Sequence, residues 1–125
     1  DKQKWATDFG ATEAFGSIDE AMPRVAELTN GQGADVVILT VGKLTAEHYA
    51  GAMSCLGKAG TMVLTALPDE PQDGRLSLNG PMATVYEQRI QGSLYGSCNA
   101  RTDIPRLLRM HEEGRLELDR LITRR

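Results

Sequence analysis

GADVVILTVGK spans Gly33 to Lys43, near the first third of the chain. Val36, Val37, Ile38 and Leu39 follow Asp35 with no polar residue among them, and the run ends in Thr-Val-Gly-Lys. A half-exposed strand would alternate apolar and polar residues, and an amphipathic helix would space its apolar residues three and four apart. A short unbroken apolar run flanked by glycine fits a strand buried on both faces, as in a parallel sheet covered by helices. The small, turning, basic tip is then where the chain leaves the sheet.

The flanking segments support this. Before the run, SIDEAMPRVAELTNG has Ser17 or Asp19 as a cap, Glu20 in the first turn, and Met22, Val25, Ala26 and Leu28 at helical spacing. Pro23 fits that helix only if the helix begins near it. Asn30-Gly31 ends it. After the run, Thr45 is placed to cap a helix with Tyr49, Ala52, Met53 and Leu56 on its apolar side, closed by Gly57. Thr61–Leu67, TMVLTAL, is a second buried strand. Helix and strand alternate, which favours an α/β fold with right-handed crossovers.

Further out, Lys2–Asp8 has a helical pattern, with Trp5 and Phe9 on one face and Gly10 after its end. Thr12–Phe15 is expected as a short strand, Pro68–Gly74 as a loop and Leu76–Asn79 as an edge strand. Pro81–Gln88 is expected to be helical, and RIQGSLYGS to be a third sheet strand interrupted by Gly92 and ended by Gly96. A last helix starts at Thr102 or Asp103 with Pro105 in its first turn, and LELDRLIT alternates apolar and polar residues.

Composition narrows the function classes. The 125 residues suit one small domain, and 41% hydrophobic with 25% charged residues is a globular balance. A net charge of −3 gives no basic footprint for nucleic acid. No apolar run is long enough for a bilayer span, and no secretory pattern opens the chain, so a cytoplasmic protein is expected. Cys55, Cys98, His48 and His111 do not form a metal-ligand spacing, so no metal site is expected here. The two cysteines are expected as free thiols.

In an open α/β sheet, ligands bind outside the carboxyl ends of the strands. The three expected tips are TVGK, TALP and SLYG, all small or turning. Their backbone groups could hold a flat, amide-bearing ligand. Neither G-x-G-x-x-G nor G-x-x-x-x-G-K-[ST] occurs, and GQGAD precedes a strand rather than following one.

Taken in order and spacing, FGATEAF, GADVVILTVG, CLGKAGTMVLTAL and GSLYGS resemble the zinc-type alcohol dehydrogenases of the medium-chain dehydrogenase/reductase family. YGSCNARTDIPRLLRMHEEGRLELDRLIT is most similar to an actinobacterial branch with nicotinoprotein and class-III-like members. The resemblance implies that residues 1–125 are a partial dinucleotide-binding (Rossmann) domain, its later part, without the zinc-binding catalytic domain. It implies NAD as cofactor, with NADP not excluded, zinc only in the missing domain, and a small alcohol or aldehyde as substrate of the full protein. Hydride chemistry then belongs to nicotinamide and zinc, and no residue of this chain is expected to act as acid, base or nucleophile. The rival readings are a zinc-free quinone or enoyl reductase of the same superfamily and a non-catalytic nucleotide-binding domain.

The resemblance also implies roles for single residues. Lys2 would touch the adenosine ribose. Thr40, Val41 and Lys43 would line the adenine and ribose side. Thr65 and Leu67 would lie beside the nicotinamide, and Ser93 and Tyr95 would present backbone groups to its carboxamide. Ala66 stands where the family commonly has Gly, which is tolerable if its φ is negative. The family often dimerises through an edge strand similar to RLSLNGPM, so a homo-oligomer through Leu76–Asn79 is expected.

Overall fold

The computed structural model describes residues 2–68, 75 and 78–122. In chain order the elements are α1 (Lys2–Asp8), α2 (Ile18–Leu28), β1 (Ala34–Leu39), α3 (Ala46–Cys55), β2 (Leu56–Leu64), α4 (Gly80–Val85), β3 (Arg89–Gly92), a one-turn 3-10 helix (Tyr95–Ser97), α5 (Ala100–Glu112) and α6 (Leu118–Leu121). The strands form a three-stranded, wholly parallel sheet in the order β1-β2-β3. Two compact units divide the chain, residues 1–93 and 94–125. The first contains the sheet, and the second contains the 3-10 turn, α5 and α6.

Local chemistry explains the helix starts. The hydroxyl of Ser17 accepts from the Glu20 N–H, and the Glu20 carboxylate accepts from the Gly16 N–H, which satisfies two donors at the start of α2. This cap sets the helix start at Ile18, five residues before Pro23. Pro23 therefore sits inside the helix, where it lacks the backbone donor of its position. The Arg24 guanidinium holds α2 to the preceding loop by pairing with the Glu13 carboxylate at 2.7 Å. That pairing keeps the Glu13 carboxyl below its ordinary pKa. At α3, the Thr45 N–H donates to His48 Nδ1. Asn79 caps α4 by accepting from the Met82 N–H.

The core lies on one face of the sheet. Leu39 and Met62 point to α3, and with Leu44, Tyr49, Ala52 and Leu56 they form the buried cluster. Val37, Val41, Leu64 and Ala66 pack against it. Fully burying side chains of this size stabilises by about 1.5–3 kcal/mol each. The other face departs from expectation. Val36 and Ile38 are 54% and 57% exposed, so β1 is covered on one side only. The apolar run calls for cover on both faces, and α3 supplies it on one.

Other departures have local causes. Strand β2 begins at Leu56, ahead of the expected Thr61, because Leu56 already pairs with Ala34 before the register shifts to Val36 with Thr61. The residues between pass very close to the turn before β1, and a Cβ on Gly57 would overlap the Gln32 carbonyl oxygen. Thr12–Phe15 forms no strand, since no described segment pairs with the outer edge of β1. Strand β3 stops at Gly92, where the chain turns into left-handed backbone at Tyr95, Gly96 and Ser97. Helix α5 starts two residues before Thr102, capped by Asn99 accepting from the Arg101 N–H, which leaves Pro105 in its interior. Within the alternating LELDRLIT, Leu118–Leu121 forms a short helix. Leu76 and Ser77 lie outside the described residues, as does most of the Pro68–Gly74 loop.

Candidate functional site

The carboxyl ends of β1, β2 and β3 lie side by side, and the residues just beyond them tie the ends together. Thr65 donates twice to the Leu39 carbonyl, from its N–H at 3.2 Å and from Oγ1 at 2.9 Å. The Ser93 N–H donates to the Leu64 carbonyl at 2.8 Å. Thr40, Thr65 and Ser93, each the first residue past its strand, therefore form one row at the carboxyl edge of the sheet.

Around this row the surface is open and small. Gly42 and Gly92 have nothing within 4 Å of where a Cβ would stand. Leu67 projects outward at 74% exposure, and Lys43 is exposed. Val41 turns inward and packs against the core cluster, so its side chain anchors the tip and leaves its backbone to any ligand. Ala66 also packs inward and is not among the residues with positive φ, so its methyl group introduces no backbone strain.

The remaining expected residues, Lys2 and Tyr95, belong to other elements than the strand tips. Lys2 is exposed on α1, outside the sheet. Tyr95 belongs to the second unit, is 86% exposed and holds φ at 48°. A left-handed tyrosine costs about 1–3 kcal/mol, and such strain clusters at ligand clamps. This strain at Tyr95 and Ser97 was not legible in the residue pattern, because Gly96 alone accounts for a turn there. No group of His, Cys, Asp and Glu capable of holding a metal occurs among the described residues. None of their helices is long and apolar enough to cross a membrane.

In an open parallel α/β sheet, ligands bind outside the carboxyl ends of the strands, where this row lies. A family profile described as zinc-binding dehydrogenase matches residues 1–113, and the chain belongs to that family. The NDMA-dependent alcohol dehydrogenase of Amycolatopsis methanolica is 43% identical over 124 residues, which are 99% of this chain and 33% of that protein. The putative alcohol dehydrogenase D of Mycobacterium tuberculosis is 44% identical over 122 residues, 98% of this chain and 33% of the relative. The chain thus spans about a third of the length of the curated relatives it matches. Among solved structures, benzyl alcohol dehydrogenase from Acinetobacter calcoaceticus superposes with a TM-score of 0.83 at 19% identity, covering 98% of this chain and 33% of its own, which speaks for the fold alone. An alcohol dehydrogenase zinc-binding domain protein from Burkholderia ambifaria superposes at 0.81 with 26% identity, covering 98% of this chain and 32% of its own. The likeness to zinc-type alcohol dehydrogenases read from the sequence is borne out.

Proposed function

We propose that this chain is the later part of the dinucleotide-binding domain of an alcohol dehydrogenase, and that the row Thr40–Thr65–Ser93 faces a nicotinamide nucleotide. The observation that carries this reading is the alignment of three small strand tips at one edge. The N–H groups of Thr65 and Ser93 are committed to the sheet, which fixes the row that an amide-bearing ligand would meet. Thr40, the Val41 backbone and Lys43 take the adenine and ribose side. Thr65 and Leu67 flank the nicotinamide, Ser93 and Tyr95 meet its carboxamide, and Lys2 reaches the adenosine ribose. NAD is the expected cofactor, with NADP open. The cofactor supplies the hydride chemistry, and this chain binds and orients it. Zinc and the small alcohol or aldehyde belong to the rest of a longer protein, which is a cytoplasmic homo-oligomer in contact through Leu76–Asn79. The exposed Val36 and Ile38 support a longer protein, because a parallel sheet is normally covered on both faces. The free thiols of Cys55 and Cys98 fit a reducing compartment.

Binding to the 125-residue chain is weak, because its sequence holds no glycine-rich phosphate turn. NADH fluorescence tests the reading. The chain enhances it at millimolar ligand, and Gly42→Trp, which fills open space at the tips, abolishes the enhancement while the melting temperature holds. Enhancement that survives Gly42→Trp unchanged contradicts the assignment.

A further inference from the structure

The reading above leaves unused a cavity of about 450 Å³ at the amino end of the sheet, bounded by α2, α3 and the start of α4. Three of the chain's five methionines, Met22, Met53 and Met82, line it together with Cys55. The Cys55 thiol already donates to Met22 Sδ at 3.2 Å, so two sulfurs converge within the span of one coordination sphere. Among the described residues, no His, Asp or Glu lines the cavity. Methionine is flexible and adapts to fill gaps, yet this space stays open beside three of them.

The donor set selects the guest. Thiolate and thioether sulfurs are soft ligands and prefer soft ions such as Cu(I). Charge selects further. One thiolate and one monovalent cation sum to zero, whereas a divalent ion would leave a positive charge with no carboxylate among the described lining residues to balance it. We propose that this cavity binds one soft monovalent cation, Cu(I) or Ag(I), through Cys55 and Met22, with Met53 or Met82 as a third sulfur. On binding, the Cys55 S–H bond breaks, a sulfur–metal bond forms and the proton passes to the buffer. No electron is transferred. The proposal is independent of the cofactor reading, since it concerns the opposite edge of the sheet.

Titration with Ag(I) nitrate in chloride-free buffer tests it, on a Cys98→Ser background because Cys98 is an exposed thiol. One Ag(I) binds per chain, with sulfur-to-silver absorption in the ultraviolet. Met22→Leu, which conserves volume, keeps the circular dichroism spectrum and weakens binding about tenfold or more. Met82→Leu is the second variant should the first misfold. Met110→Leu, outside the cavity, changes nothing, and excess Zn(II) does not displace the silver. Unchanged affinity in both cavity variants, an equal loss in Met110→Leu, or displacement by Zn(II) would overturn the proposal.

Discussion

Thr65 is the hinge of the account at the residue scale. Its N–H and its hydroxyl both donate to the Leu39 carbonyl, so one side chain sets the spacing between two strand tips. Thr65→Val keeps the shape and the backbone bond but loses the hydroxyl bond. We expect a loss of about 0.5–1.5 kcal/mol in urea denaturation, with weaker NADH binding. The two cysteines should separate by reactivity. Exposed Cys98 reacts with a bulky thiol-specific dye at once, whereas Cys55, buried and with its pKa pushed up by that burial, reacts more slowly. Two equally fast thiols would contradict this placement. The Glu13 carboxyl titrates below its ordinary range because of Arg24. Because the folded pKa is the lower one, the pairing stabilises above the ordinary carboxylate pKa and is lost as pH falls through the depressed one. Arg24→Gln should return the Glu13 titration, followed by carboxyl NMR shifts, to the ordinary range.

At the scale of elements, β1 shows what sequence pattern conveys and what it omits. Its uninterrupted apolar run identified a parallel strand, and its partner TMVLTAL identified the neighbour. The exposure of Val36 and Ile38 was not legible, because an apolar run records the cover a strand requires and not the cover present in a given stretch of chain. The start of β2 was hidden for a different reason. Gly57 resembles a helix stop, yet its place is set by contact with Gln32, far away in sequence. The same contact gives a paired prediction. Gly57→Ala should cost about 3 kcal/mol by forcing the two turns apart, while Gly42→Ala, with open space around it, stays within about 0.5 kcal/mol of the parent. Equal effects in chemical denaturation would contradict the close approach. Ser17, one of the two caps the pattern offered, starts α2 and leaves Pro23 in its interior, while Pro105 misled, because the Asn99 cap starts α5 upstream of Thr102.

For the whole molecule, a single buried cluster on one face of a three-stranded sheet holds the first unit together. So small a core leaves little stability in reserve. Met62, fully buried at its centre, should cost about 2–5 kcal/mol as Ala, enough to unfold much of the population. The row of tips was legible in the sequence as three short turning motifs. Its stitching by Thr65 and Ser93 was not, because that depends on register between strands. The central claim is that the carboxyl edge of the sheet faces a nicotinamide nucleotide, and mapping amide NMR shifts during titration with NAD tests it most directly. Shifts are expected to concentrate at Thr40–Lys43, Thr65–Leu67 and Ser93–Tyr95, with Gly31–Gly33 and Gly57 silent. Shifts confined to the amino edge, or none at saturating cofactor, would contradict it.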